Sequence, residues 1–182
     1  MIVEPRVIKT KAGRNVILRS ALPEDAQAVL ECLKVTAAES LFLSREADEV
    51  INSNEVEEAF LEEVCESPYS VMLLAEVYGE VAGTCTINPA GITRRLRHRC
   101  ISGIVLYKKY WGQGIGRQMI QCAMQEAKNL GYEQCELEVL GRNENAIALY
   151  KSLGFTETGR VPDAVKYDDG SYDCQIRMCR KL

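Results

Sequence analysis

Histidine is nearly absent from this chain: His98 is the only one among 182 residues. A metal centre built on two or more imidazoles is therefore excluded. Clustered cysteine is missing too. The eight thiols (Cys32, Cys65, Cys85, Cys100, Cys122, Cys135, Cys174 and Cys179) never fall in a Cys-x-x-Cys spacing. Neither a zinc ribbon nor a dithiol redox motif fits them, and no metal is expected. Most lie at apolar-periodic positions and read as reduced, buried, small hydrophobes. No apolar run is long enough to span a bilayer. The opening Met1-Ile2-Val3-Glu4-Pro5-Arg6 has no hydrophobic stretch of a secretion signal, so the expectation is a cytoplasmic protein without membrane contacts. A dominant charge is lacking as well. With 22 Lys and Arg against 26 Asp and Glu, the net charge of −4 gives no bulk field for nucleic acid, and no nucleic-acid partner is expected.

What remains is an ordinary globular composition, 47% hydrophobic and 26% charged. The length suits one domain, 1–182, with a sizeable core. Val16 to Leu18 reads as a first strand. Pro23 to Lys34 reads as a helix with Ala26, Val29, Leu30 and Leu33 as its stripe. Thr36 to Asn52 is polar and unpatterned, a loop or a short helix. Asn52-x-x-Glu55 starts a second helix, continued by Val56, Ala59, Phe60 and Val64. Val71 to Val77 and Val81 to Ile87 flank Tyr78-Gly79-Glu80 as a hairpin. A second hairpin runs through Pro89-Ala90-Gly91 into Ile101 to Leu106. A helix from Gln118 to Leu130 stops at Gly131. Then come a strand (Glu133 to Leu140), a short helix (Asn145 to Leu153) and two strands (Phe155 to Val161 and Tyr172 to Arg180).

Between the Ile101–Leu106 strand and the Gln118–Leu130 helix lies Trp111-Gly112-Gln113-Gly114-Ile115-Gly116-Arg117. Strand, glycine-rich turn and helix point several backbone N–H groups at an anion, because glycine permits close approach and positive φ, and the helix N-terminus favours negative charge. The spacing is neither the dinucleotide Gly-x-Gly-x-x-Gly nor a P-loop, since Gly116-Arg117-Gln118 lacks the lysine. The glycines alone fit either a phosphate-binding turn or a glycine-rich connector.

A second motif narrows the choice. Asn143-Glu144-Asn145-Ala146-Ile147-Ala148-Leu149-Tyr150-Lys151-Ser152-Leu153-Gly154-Phe155 follows a strand and forms a short helix. With Tyr110 to Gly116, it resembles the GNAT superfamily of N-acetyltransferases through the pattern Asn-x-x-Ala-x-x-Leu-Tyr-x-x-x-Gly-Phe. Within that superfamily the chain is similar to the ribosomal-protein and small-amine acetyltransferase branches. The resemblance implies an α+β, single-domain fold: a mixed, mostly antiparallel seven-stranded sheet flanked by about four helices, with splayed central strands. It implies acetyl-CoA as cosubstrate, its pyrophosphate held by the N–H groups of Gln113, Gly114, Ile115, Gly116 and Arg117. Leu106 N–H would meet the thioester carbonyl, and pantetheine would fill the splay like an added strand. Asn143 matches a cofactor-contacting asparagine. Asn145 is a further candidate that helix capping explains equally well. Tyr150 matches the general acid, although its helical face also suits a core position.

The resemblance also exposes a departure. Many members place a glutamate two residues before the Gly103 equivalent as base through water, and this chain has Ile101 there. Either another group serves, with Glu39, Glu76, His98 and Glu138 as candidates, or the substrate supplies a partly neutral amine. The basic run Arg94-Arg95-Leu96-Arg97-His98-Arg99 reads as a solvated hairpin edge that discourages sheet pairing, in preference to a site for an anionic substrate or a nucleic acid. The acceptor pocket is expected near Glu39 to Ser44 and Val161 to Tyr167. The implied activity is transfer of an acetyl group from acetyl-CoA to a primary amine of a small molecule, protein or peptide, by a monomer or homodimer. The alternative is an acetyl-CoA-binding sensor or interaction module with little or no catalysis.

Overall fold

The computed structural model describes residues 2–182. Its strands are β1 (Arg6–Lys9), β2 (Asn15–Ser20), β3 (Val71–Val77), β4 (Glu80–Pro89), β5 (Arg99–Leu106), β6 (Gln134–Leu140), β7 (Thr156–Lys166) and β8 (Tyr172–Lys181). Its helices are α1 (Ala26–Glu39), α2 (Asn54–Glu66), α3 (Ile115–Asn129) and α4 (Glu144–Ser152). The strands form one sheet in the order β1-β2-β3-β4-β5-β6-β8-β7. Every neighbouring pair is antiparallel except β5 and β6. The α+β class and four helices are as expected, but the sheet has eight strands rather than seven. The addition is β1, four residues long, whose side chains are exposed apart from a half-buried Ile8 and so show no inward–outward alternation.

Alternate residues of β3 feed two cores. Val71, Leu73 and Ala75 join the cluster under α3, where Ile115, Met119, Ile120, Ala123 and Ala127 form the buried stripe. Met72 and Leu74 face the other way, with Val29, Leu61 and Val64 of α1 and α2. Three helices differ from expectation, α3 by starting at Ile115, three residues before Gln118. The first begins with a 3-10 turn at Pro23–Asp25 and runs on to Glu39, because Thr36 and Ala37 are buried and Thr36 Oγ1 donates back to Cys32 C=O. In α2 the cap is Ser53, which accepts from Val56 N. The buried stripe is Glu57, Leu61 and Val64, while Val56 and Phe60 face solvent. The β3–β4 hairpin turns through Tyr78 and Gly79, both at positive φ, which suits the twist of the flanking strands.

The feature that makes a site is the β5–β6 seam. The two strands are in register only over Arg99–Ile101 against Gln134–Glu136. Beyond it, β6 continues to pair with β8, and β5 with β4. The central strands therefore splay, and the open end faces the start of α3. Arg99 pairs with Glu136 at the closed end and holds that carboxyl below its usual range.

Candidate active site

The turn between β5 and α3 has the backbone that the glycines suggest. Gly112 sits at φ +74° and Gly114 at φ +88°, the latter as N-cap of α3. Gly116 lies in the first helical turn, and a Cβ there would stand 3.8 Å from Ile104 Cδ1 and 4.0 Å from Leu149 Cδ2. The opening N–H groups of α3 have no intrahelical acceptor and gather at this turn. The Gln113 side chain is turned aside to Lys109 C=O, and Ile115 is buried in the core, so any ligand contact from these two is through backbone. Arg117 Nη2 donates to Ser152 Oγ at 2.7 Å, tying α3 to α4 beside the cleft.

The β5 backbone alternates between two neighbours. Tyr107 N donates to Ala82 C=O, and Ala90 N donates to Arg99 C=O. With Gly83 opposite Leu106, this phase turns odd-numbered β5 amides toward β4 and even-numbered ones, Ile104 and Leu106, toward β6. Where β6 has moved away, those amides face the open seam. The Leu106 carbonyl is taken by Trp111 Nε1 at 2.7 Å. On the β4 side, a Cβ on Gly83 would come within 2.4 Å of Val105 O, so only glycine lets the two strands close beside Leu106.

The short helix α4 closes the same space. Asn143, not Asn145, is its N-cap: the side-chain oxygen accepts from Ala146 N at 3.2 Å, and the residue lines the cleft. Asn145 is exposed at the cleft edge. Tyr150 is buried to 8% exposure and packs edge-on against Phe155, with ring centroids 5.9 Å apart. Burial pushes its phenol well above the ordinary tyrosine range. The core reading and the cleft reading of Tyr150 thus hold together: its ring belongs to the core and it also lines the cleft.

These parts border one cleft of about 900 Å³. Lys11, Trp111, Gly112, Gly114, Gly116, Arg117, Asn143 and Asn145 border one end. Ile104 and Leu106 lie along the middle, with Tyr150. Residues 38–155 match the Acetyltransferase (GNAT) family. The chain belongs to that family. It is 28% identical over 176 residues to the uncharacterized N-acetyltransferase YjgM of Escherichia coli (strain K12), covering 94% of this chain and 98% of that one. A GNAT-family acetyltransferase from Streptococcus pneumoniae superposes with a TM-score of 0.87 at 28% identity, covering 92% of this chain and 99% of that one. The yncA structure from Salmonella typhimurium with its cofactor acetyl-CoA has the same fold, with a TM-score of 0.81 at 21% identity over 92% of this chain and 94% of that one.

In this GNAT chain the far end of the cleft is built from α1, the loop after it and the sheet. Leu33, Thr36, Ser40, Phe42, Leu43 and Ser44 contribute, with Thr84, Thr86 and Gly103 beneath them. Val161 to Tyr167 do not line it. Tyr167 instead acts from outside: its hydroxyl, with one proton to give, lies 3.3 Å from Leu41 C=O and 3.2 Å from Asp173 Oδ2, beside the 41–44 loop.

The base candidates separate by position at the cleft rather than by pairing. Glu76 is bound to Arg19, Glu39 accepts from Lys108 N, and His98 stands outside the cleft with its carbonyl accepting from Glu133 N. Glu138 lines the cleft, two residues past the last pairing with β5. Its carboxylate accepts from Arg177 and from Gln175 Nε2, both at 2.9 Å. It also borders a second cavity of about 270 Å³ over Ile101. Of the basic run, Arg94, Arg95 and Arg97 lie in an exposed loop from 92 to 97, whereas Arg99 is in β5 and pairs with Glu136. All eight cysteines are free, five of them buried. No helix among the described residues is long and apolar enough to cross a membrane.

Proposed function

We propose that the chain transfers the acetyl group of acetyl-CoA to a primary amine by direct attack in a ternary complex. The observation that carries this reading is the open seam, whose β5 edge offers unpaired even-numbered amides, ending at the glycine turn and bordered by Tyr150. An amide-bearing pantetheine arm adds to such an edge as a strand does. The N–H groups from Gln113 to Arg117 are the pyrophosphate donors, and the Asn143 amide and Asn145 contact the arm or its phosphates. The positive end of α3 favours that anion.

Leu106 N–H is fixed on the strand edge before reaction begins. As the amine attacks, negative charge grows on the thioester oxygen, and a preorganised donor there lowers the barrier by about 3 kcal/mol. Tyr150 stands as the hydrogen-bond donor to the leaving sulfur. An ordinary phenol at ~10 against a thiol at ~8.5 makes full transfer uphill by about 2 kcal/mol. Burial raises Tyr150 further, so it stays protonated and acts as a strong donor to the departing thiolate. Glu138 is the base, taking the amine's proton through water in the space that Ile101 leaves without a carboxylate. An α-amine near ~7.8 is already roughly 15% neutral at pH 7, against less than ~0.1% for a lysine-like amine, so low-pKa amines need that base least. In the reducing cytoplasm the free thiols would persist.

The test is incubation with acetyl-CoA and a panel of small amines and peptides, following free thiol and product mass. Amine-dependent thiol release with an acetylated product supports the reading. Tight acetyl-CoA binding without any release would instead support the sensor alternative.

A further inference from the structure

The β1–β2 hairpin has no evident reason to lie beside the cleft, yet two hydrogen bonds clamp it to the glycine turn. Lys11 N donates to Gln113 C=O at 3.0 Å, and Gln118 Nε2 donates to Lys9 C=O at 2.8 Å. The hairpin tip is itself closed by Thr10 N to Arg14 C=O at 2.8 Å and by Arg14 N to Thr10 Oγ1 at 3.0 Å. Residue 11 is thus delivered to a fixed place. Its aliphatic stem lies over Gly114: Cγ and Cε stand 3.6 and 4.0 Å from where a Cβ on that glycine would be. It lines the cleft at the end with Gly112, Gly116 and Arg117.

Lys11 is exposed, so its charge is free to meet a ligand. Among the described residues its ammonium has no carboxylate partner, whereas Lys109 reaches Glu80 and Arg117 is held by Ser152. A cation resting over the N-terminus of a helix meets the positive end of the dipole, which is unfavourable. An anion between the two reverses the sign of both interactions. We infer that Lys11 is a phosphate ligand for the donor, and that the clamped hairpin is a wall of the phosphate end of the cleft. This rests on the reading that the glycine turn receives the phosphates of acetyl-CoA. A lysine suits the role because its compact ammonium binds phosphate as a point charge from a flexible stem.

The experiment compares donors with and without phosphate. Acetyl-CoA affinity is measured by titration calorimetry for the wild type, Lys11→Met and Lys11→Arg, at low and high salt. S-acetyl-pantetheine, which has the thioester arm but no phosphates, serves as a second donor in rate assays. Loss of one charge-assisted contact predicts about tenfold weaker acetyl-CoA binding in Lys11→Met, with a shallower salt dependence. Lys11→Arg should stay near the wild type, and kcat/KM with S-acetyl-pantetheine should be unchanged in both variants. Unchanged acetyl-CoA affinity in Lys11→Met overturns the inference. Equal losses with both donors also overturn it, because they would report a disturbed hairpin. Failure of the wild type to bind acetyl-CoA is a separate result that removes the reading of the cleft itself.

Discussion

Trp111 Nε1 donates to the carbonyl oxygen of Leu106 across a 2.7 Å hydrogen bond, so the residue that opens the glycine turn also anchors the end of the strand feeding it. Leu106 N–H and C=O lie on the same edge of β5. Fixing the carbonyl therefore helps fix the direction of the amide that we propose faces the thioester. Trp111→Phe keeps an aromatic side chain, though a smaller one, and removes the donor. A net loss of about 1 kcal/mol predicts roughly fivefold lower kcat/KM for acetyl-CoA, measured by steady-state thiol release, with little change in melting temperature.

Tyr150→Phe removes one hydroxyl and leaves the packing against Phe155. Turnover should fall by about 10² while the Kd for acetyl-CoA changes little. The raised phenol pKa fixes the sign of the pH dependence. Tyr150 is protonated through the neutral and mildly alkaline range, so the wild-type rate should show no decline up to about pH 9 from this group. An unchanged rate in Tyr150→Phe removes its acid role.

Glu138→Gln can keep the hydrogen bond from Gln175, gives up the charge pair with Arg177 and removes the proposed base. At pH 7 the rate should drop more for a lysine-like amine than for an α-amine, because fewer molecules of the former are neutral. The remaining activity should then rise with pH toward the amine's own pKa. Full pH–rate profiles with two acceptors test this, and parallel profiles for wild type and variant would remove Glu138 as base.

Gly114→Val places a β-branched residue at φ +88°. The steric surroundings are permissive, with the nearest side-chain atom 3.6 Å from the new Cβ, so the cost is in the backbone. Acetyl-CoA binding should be lost. Gly114→Asn, whose side chain tolerates the left-handed region, should retain it within about tenfold. Titration of both variants distinguishes conformation from bulk.

The Arg99–Glu136 pair makes a stability prediction. Arg99 depresses the Glu136 carboxyl below its ordinary value of 4.5 in the folded state. The stabilisation is fully present above that unfolded value and is lost as pH falls through the lower folded one. Asp25, where hydrogen bonds from Arg19 and Leu22 N outweigh burial, adds in the same direction. Melting temperature should therefore fall below about pH 4.5, and Glu136→Gln should flatten that decline in part.

Much of this site was legible in the chain because it is local. Gly112 to Gly116 specify their own turn, and Asn143 to Phe155 specify their own helix and its buried tyrosine, so both motifs could be read from neighbouring residues. What stayed hidden depends on distant partners. Lys11 reaches the cleft because β1, too short and exposed to show a pattern, docks on the glycine turn. Glu138 stood among several acids until the end of the β5–β6 register put it at an open edge. The capping role of Asn143 rather than Asn145 turns on where the first helical N–H falls, a shift of one or two residues that periodicity does not resolve.

The short β5–β6 register has a mechanical meaning. Strands β1 to β5 and strands β6, β8 and β7 are two ladders joined over three residue pairs, with Cys100 beside Cys135 at the join. The line along which the sheet is least stitched is the line along which the donor would lie. A bound arm would act as a temporary suture, sharing hydrogen bonds with the Ile104 and Leu106 amides that lie beyond the last pairing with β6. Loading should slow amide exchange at Ile104 and Leu106 and bind the two ladders into one continuous sheet, so occupancy of the cleft would be read in the rigidity of the whole fold.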